Sequence, residues 1–304
     1  MDMDMEMDNN PTRGPLIASH QVNIYNGNWK GREVAIKCPQ DKRKAIEEIN
    51  CYKANDHCQT IVRLHDYVEN DGKLELILEK STCSLMELFS FDTPLRPDHL
   101  ENVHFERKLE FIKDFQKHDV WEDTWHVVGE KKYYGYPTPK LLNIIRDIVD
   151  AVVYLQKSEF RPNLDPNHIL IFHDLRAKLL MSQSDAKGWK GPEIQRQQGK
   201  TTKHDMFGLG LLIYFCASKK GYHPFGEIES PDKCQRIINQ MTRQTYNQMT
   251  RQTVLSNKAK IRISHSSEAQ HLVNKLLQCD PEERPDVRHE NKLLHTSFKK
   301  TELN

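Results

Sequence analysis

Several side chains that commonly bind metal ions lie close together in one stretch of the sequence. His168, His173 and Asp174 follow shortly after Asp165. Imidazole and carboxylate groups are metal ligands, but a metal site also needs ligands at a regular spacing, and this stretch has none. The sequence therefore favours solvated loop side chains here over a metal centre.

The seven cysteines provide no zinc or disulfide pattern either. Their number is odd, they are scattered along the chain, and none follows another at a Cys-x-x-Cys spacing. A disulfide framework and a zinc site are therefore disfavoured. Cys38 adjoins Lys37, as an activated thiol would, but a cysteine at the end of a buried strand is by default an inert apolar residue.

Charge and hydropathy exclude several classes of function. The chain has 304 residues, and 44 Lys and Arg against 43 Asp and Glu give it a formal charge of +1. This balance argues against bulk attraction to nucleic acid or to an anionic membrane. The longest apolar run is shorter than the roughly 20 residues that cross a bilayer, and the acidic N-terminus is unlike a signal peptide. We expect a soluble intracellular protein, cytoplasmic or alternatively nuclear.

The pattern of apolar residues predicts strands from 14 to 80. Residues 22–24 and 73–79 alternate between apolar and polar, as half-buried strands do. The sequence at 26–27 is Asn-Gly, which favours a turn, and the charged stretch 41–53 is compatible with a helix. We therefore predict a β-rich unit with one main helix.

The remainder of the chain, 81–300, has helical periodicity. Thr138 provides an N-cap, and proline follows it at the first helical position. Residues 205–217 are apolar almost all round, which indicates a fully buried helix, and 269–277 form an amphipathic stripe. The predicted fold class is α+β, with a small antiparallel β lobe and a larger helical lobe.

Three segments depart from this pattern. Residues 1–13 begin with methionine alternating with acidic residues and predict a disordered tail. Residues 91–135 are rich in charge and then in aromatics, and predict a partly helical surface insertion whose aromatics pack on the lobe or bind a protein. The segment 239–253 contains one seven-residue sequence twice, which indicates a local duplication rather than a repeat architecture.

A series of short motifs in a fixed order resembles a protein kinase domain over about residues 14–300. The series consists of Val34–Lys37, Glu48, Asn163–Ile171, Gly188–Glu193, Asp205–Gly210, His223–Gly226 and Asp280–Pro285. A narrower resemblance is to the kinase domain of plant inositol-requiring enzyme, the endoplasmic-reticulum stress sensor, and it depends on residues 31–37, 82–85 and 135–142. The resemblance implies a bilobed kinase fold.

The resemblance also implies which catalytic positions have changed. Asn163 matches the proton-accepting aspartate, Asp165 the loop lysine, His168 the metal-binding asparagine and Met181 the metal-binding aspartate. An amide cannot accept a proton as a carboxylate does, and a thioether is a poor ligand for Mg²⁺. Asp185 would restore a metal ligand only through a shift in register.

Two further segments differ from those of an active kinase. Residues 16–27 match the glycine-rich loop but have no Gly-x-Gly-x-x-Gly, and only residues 182–187 are left for an activation segment. Loss of the proton acceptor alone typically costs about 10²–10⁴-fold in rate, and loss of the metal adds to it. We therefore expect no phosphoryl transfer and no bound metal.

Structural and nucleotide-contacting positions are better preserved. Glu193 and Arg284 match a buried ion pair, and Asp205 matches an acid that braces the catalytic-loop backbone, so all three are expected to serve folding. The resemblance places Ala35, Lys37, Glu48 and Glu79 around the nucleotide, although Lys37 and Glu48 could simply dock the helix on the sheet. ATP is not required; if it binds, its binding is expected to be weak and independent of Mg²⁺.

Three functional hypotheses follow. The first is a pseudokinase that acts by binding a protein, in particular a full-length relative of inositol-requiring enzyme, or as a homodimer. The chain ends at Asn304, so no ribonuclease domain is expected, and a mixed dimer is then expected to dampen RNA cleavage. The second is a residual Ser/Thr kinase or ATP-binding protein that uses Asp165 or Asp185. The third is an eroded gene duplicate.

Overall fold

A computed structural model describes most of the two predicted lobes. The predicted positions Asn163 and Asp185, residues 1–9 and most of the 239–253 repeat lie outside the described residues. The described residues are 10–18, 22–89, 103–118, 125–128, 131–134, 138–157, 161, 164–182, 186–193, 201–217, 221, 223–225, 231–241 and 267–285.

The N-terminal lobe is a five-stranded antiparallel sheet with one helix, as predicted. The strand order is β1-β2-β3-β5-β4. The elements are β1 (Thr12–Ala18), β2 (Asn23–Trp29), β3 (Arg32–Cys38), α1 (Lys42–Ala54), β4 (Leu64–Asn70) and β5 (Lys73–Glu79).

The predicted tail, 1–13, extends too far at its C-terminal end. Thr12 and Arg13 belong to β1 and pair with Asn28 and Gly27 of β2. Arg13 also forms an ion pair with Glu75 of β5, whose side chain is buried. The sheet therefore starts two residues earlier than the composition indicates, because a buried carboxylate far along the chain needs this arginine.

The turn predicted at 26–27 is wrong, because both residues lie inside β2. The reversal between β2 and β3 occurs at Lys30 and Gly31, whose φ angles are 51° and 78°. A Cβ at Gly27 would lie 2.3 Å from Ile36 Cδ1. The same Cβ would lie 2.8 Å from the backbone oxygen of Thr12 in β1, so the close approach of the neighbouring strands favours glycine here, and not a change of chain direction.

Helix α1 brings two functional side chains to one buried face. Its N-cap is Asp41, whose carboxylate accepts hydrogen bonds from the backbone N–H groups of Arg43 (2.9 Å) and Lys44 (3.3 Å). Glu48 and Tyr52, one turn apart, are both buried. The helix therefore directs a carboxylate and a phenol to the interior of the molecule.

The C-terminal lobe is mainly helical. It contains two further small sheets, β10-β9-β6 and β7-β8. The elements are β6 (Cys83–Ser84), α2 (Leu85–Phe89), α3 (Val103–His118), β7 (Trp125–Val128), β8 (Lys131–Tyr134), α4 (Pro139–Leu155), β9 (Ile169–Ile171), β10 (Ala177–Leu179), α5 (Thr202–Ala217), α6 (Pro231–Asn239), α7 (Ser267–Leu276) and a 3₁₀ turn (Pro281–Glu283).

The long helices agree with their sequence signals. Thr138 caps α4 by accepting a hydrogen bond from Leu141 N at 3.3 Å. The middle of α5 is buried on every side. One apolar cluster extends from the sheet, at Leu76 and Leu78, through α4 and α5 to α7. This continuous core supports the predicted α+β, two-lobed fold.

The predicted insertion, 91–135, contains one helix and one hairpin among its described residues. Helix α3 packs on α2. The rings of Phe115 and Phe89 meet edge to face, with their centroids 6.3 Å apart. Lys108 Nζ lies 2.5 Å from a Glu87 carboxylate oxygen. This part of the insertion is therefore packed on the helical lobe.

Candidate functional site

The side chain of Lys37 is enclosed by protein groups. Its Nζ lies 2.5 Å from Glu48 Oε2 and donates to the backbone oxygen of Met181 at 3.0 Å. The lysine side chain is only 1% exposed. Burial lowers the pKa of the Lys37 ammonium, and the charge and hydrogen bond of Glu48 oppose that shift. The sequence-predicted pair is thus formed, and a third group, the Met181 carbonyl, completes it.

Tyr52 joins the same cluster from α1. Its hydroxyl accepts a hydrogen bond from Met181 N at 3.1 Å and lies 3.3 Å from Met181 O, to which it donates. Met181 itself is 0% exposed. Sequence analysis did not identify Tyr52. The available signal was its position four residues after Glu48, which places both on one helix face.

The loop positions Asp165 and His168 contact each other. His168 Nδ1 lies 2.5 Å from Asp165 Oδ2, and the other oxygen, Asp165 Oδ1, accepts from Asn167 N at 2.8 Å. Asp165 is only 3% exposed. This carboxylate is therefore directed into its own loop. No group of three or more His, Cys, Asp or Glu side chains suited to a metal ion occurs among the described residues.

Ala35 lies in β3, and Glu79 is the last residue of the neighbouring strand β5. Both carboxylate oxygens of Glu79 accept from Lys178 Nζ of β10, at 2.7 and 2.8 Å, and one also accepts from Arg63 N. Ala35 is buried in β3 opposite Leu78 of β5. The Glu79 side chain therefore connects the sheet to the helical lobe.

A buried ion pair connects two distant parts of the helical lobe. Arg284 donates to both oxygens of Glu193, at 2.6 and 2.9 Å, and to the carbonyl oxygens of Gln278 and Lys203. Burial raises the pKa of Glu193, but hydrogen bonds from His204 and Arg284, with the Arg284 charge, outweigh burial and lower it to about 2. His204 was not identified from the sequence.

Asp205, at the start of α5, contacts the side chain of a loop residue. Its Oδ2 lies 3.5 Å from Arg161 Nη1, and Arg161 in turn donates to the carbonyl oxygens of Leu155 and Gln156 at the end of α4. Asp205 therefore contacts the loop through Arg161, which also bonds to the C-terminal end of α4.

The sequence matches the protein kinase domain model over residues 173–298. The chain is 29% identical over 286 residues to the serine/threonine-protein kinase/endoribonuclease IRE1 of Oryza sativa subsp. japonica. It is 28% identical over 313 residues to IRE1a of Arabidopsis thaliana, and 28% over 286 residues to the probable serine/threonine-protein kinase ireA of Dictyostelium discoideum.

These matches cover 86%, 92% and 87% of this chain but only 27%, 33% and 26% of the respective relatives. The chain therefore spans about a quarter to a third of the length of these relatives. Among the described residues, no helix combines the length and apolar character required to cross a membrane. The match to a protein kinase domain agrees with the two-lobed fold. Residues 173–298 thus match the protein kinase domain family, and most of the chain is homologous to the plant kinase/endoribonucleases at 27–29% identity.

Proposed function

We propose that this kinase-fold protein acts by binding another protein and does not transfer phosphate. The observation that carries the proposal is the hydrogen bond from Lys37 Nζ to the Met181 carbonyl at 3.0 Å, since the Lys37–Glu48 pair by itself would also occur in an active kinase. A lysine that holds phosphate must present its ammonium to the cleft, and this one is 1% exposed. Nucleotide phosphates would have to displace a buried hydrogen bond to reach it.

The chemistry of the neighbouring positions supports the same proposal. Met181 provides a thioether where the resemblance implies a metal-binding carboxylate, and hard Mg²⁺ prefers charged oxygen ligands. Asp165 has its carboxylate oxygens close to His168 and the Asn167 amide. No observation favours Asp165 as a replacement proton acceptor, because it is buried within its loop.

The proposed partner is the kinase domain of a kinase/endoribonuclease relative. The resemblance implies that kinase domains of this family pair with each other and so align their ribonuclease domains, and homology over most of this chain supports a surface that fits such pairing. A relative that is bound to this chain is not paired with another copy of itself. Binding would therefore reduce the productive pairing of the relative.

Thermal unfolding with ATP, in the presence and absence of Mg²⁺, tests whether the protein binds the nucleotide with its metal ion, which phosphoryl transfer requires. A ligand that binds only the folded state raises the free energy of unfolding by RT ln(1 + L/Kd), where L is the free ligand concentration. We expect at most a small shift that is the same with and without Mg²⁺. Lys37→Met should show the same small ATP-induced shift, measured against Lys37→Met without ATP. A large Mg²⁺-dependent shift that Lys37→Met abolishes would contradict the proposal.

A further inference from the structure

A three-residue segment, Leu179–Met181, lies between the two lobes and is bonded to both. Leu179 N donates to Thr60 O (2.9 Å), and Leu179 O accepts from Val62 N (3.0 Å), both in the N-terminal lobe. Leu180 N donates to His168 O of the helical lobe at 2.8 Å. Met181 then turns back to the N-terminal lobe, to Tyr52 and Lys37. The segment is therefore a seam that closes the two lobes on each other.

The Tyr52 hydroxyl forms hydrogen bonds with both the backbone N–H and the backbone C=O of Met181. A phenol has one proton to donate and lone pairs to accept with, and here it donates to Met181 O and accepts from Met181 N. Burial and the nearby charge of Glu48 raise the pKa of Tyr52 well above its ordinary value. The shift favours the protonated hydroxyl, which is the form that donates to Met181 O.

The contacts of α1 make this hydroxyl part of a closed circuit. Glu48 binds Lys37 of β3, Lys37 binds Met181 O, and Met181 binds Tyr52, which returns to α1 one turn after Glu48. These contacts fix the position of α1 against β3 and the seam.

We propose that the Tyr52 hydroxyl holds α1 and the Leu179–Met181 seam together in the absence of nucleotide and thereby keeps Lys37 inaccessible to ligands. This inference concerns a conformational device and goes beyond the proposed function, since it holds whether or not the protein acts by binding. Tyr52 is a positioning residue that acts on Lys37 through the Met181 backbone.

Tyr52→Phe removes the hydroxyl and keeps the ring. It leaves the buried Met181 N–H without its acceptor, a change whose usual cost corresponds to about a 5- to 150-fold shift in an opening equilibrium. We expect the Met181 amide to exchange with solvent faster by a factor in that range, and labelling of Lys37 by an amine-reactive reagent, measured by mass spectrometry, to increase. Tyr67→Phe is the matched control, because Tyr67 is 39% exposed and its hydroxyl accepts a hydrogen bond from the Lys53 ammonium, at 3.3 Å, on the protein surface.

Hydrogen exchange of the wild-type protein provides a second test that does not need a variant to fold. The proposal requires the Met181 amide to exchange together with the amides of α1, at Cys51 and Tyr52, because they open as one unit. Exchange of Met181 that is much faster than that of α1 would overturn the proposal. Unchanged Met181 exchange or unchanged Lys37 labelling in a folded Tyr52→Phe protein would also overturn it.

Discussion

Lys37 shows how surrounding protein groups can satisfy a buried ammonium. An ammonium taken out of water is stable only when its charge and its hydrogen bonds are satisfied. In a phosphate-binding site the ligand does part of this, whereas here Glu48 and the Met181 carbonyl do it without a ligand. The residue type at position 37 is therefore compatible with either role, and its surroundings decide between them.

Restoring the proton acceptor alone should not restore catalysis. In Asn163→Asp the cleft still has Met181 in place of a metal-binding carboxylate, and Lys37 is still enclosed. We expect phosphate transfer from radiolabelled ATP to a generic protein substrate to equal that of Asn163→Ala, the matched control. Activity well above this control, dependent on Mg²⁺, would show that another carboxylate such as Asp185 holds the metal.

His223 makes the stability of the folded protein depend on pH. Its Nε2 donates to Gly188 O (2.8 Å) and its Nδ1 accepts from Phe225 N (3.1 Å), so the ring is neutral. Burial lowers the pKa of His223 to about 4 from 6.5, although the bond to Gly188 opposes the shift. Because the folded state binds this proton less readily than the unfolded state, the stability is present above pH 6.5 and is lost as the pH falls to about 4.

We expect the free energy of unfolding to decrease by about 3 kcal/mol across this interval because of His223. Urea denaturation at a series of pH values measures it. His65, whose pKa is also lowered by burial, contributes in the same direction, so the comparison is with His223→Gln, which cannot be protonated. An equally steep pH dependence in His223→Gln would mean that other groups are responsible.

At the scale of elements, the start of α5 and the turn after α7 are joined by a few charged side chains. The buried Arg284 side chain donates two hydrogen bonds to the Glu193 carboxylate. Lys203 Nζ donates to Arg284 O at 2.6 Å, which connects α5 to the same turn. A planar, five-donor guanidinium can satisfy acceptors from several directions at once, and an ammonium cannot.

Arg284→Met should destabilise the protein by about 3–5 kcal/mol, because it leaves Glu193 charged and buried without its partner. Arg284→Lys should recover only part of this loss, and Arg284→Met combined with Glu193→Gln should lose less than Arg284→Met alone. Lys187→Met removes an exposed ion pair with Asp232 and should cost less than about 1 kcal/mol. Chemical denaturation that gave Arg284→Met and Lys187→Met the same cost would contradict the structural role.

At the scale of the whole molecule, the two lobes are connected by side-chain contacts as well as by the apolar core. The Tyr154 hydroxyl of α4 lies 2.6 Å from His57 Nε2, and the Glu79 carboxylate accepts a hydrogen bond from Lys178 Nζ. Together with the Leu179–Met181 seam, these contacts span the cleft in several places.

The proposed partner can be tested with the full chain and a purified kinase/endoribonuclease relative. We expect a mixed complex by sedimentation at tens of micromolar or below, and a dose-dependent decrease in cleavage of a hairpin RNA by the relative. An unrelated kinase domain serves as the control. No complex in this range together with unchanged cleavage would leave an unrelated partner or an eroded duplicate as the better account.

The sequence by itself determined the local structure and, through the order of its motifs, the fold. The N-cap of α4 and the buried character of α5 are short-range signals, because capping and hydrophobic periodicity depend on residues a few positions apart. The turn predicted at 26–27 was wrong because it, too, rested on a short-range signal alone. An Asn-Gly pair favours a turn locally, but the packing of Ile36 on Gly27 is a contact between strands.

Only the tertiary structure decided what surrounds Lys37. Its bond to Met181 joins residues 144 positions apart, and the bonds between Tyr52 and Met181 join residues 129 positions apart. All three of these contacts use the backbone of Met181, which every residue type except proline would provide in full, so residue identity at 181 carries little signal for them. The convergence of β3, α1 and the segment after β10 at one point depends on how the lobes pack, because no local pattern specifies a distance between elements so far apart in the chain.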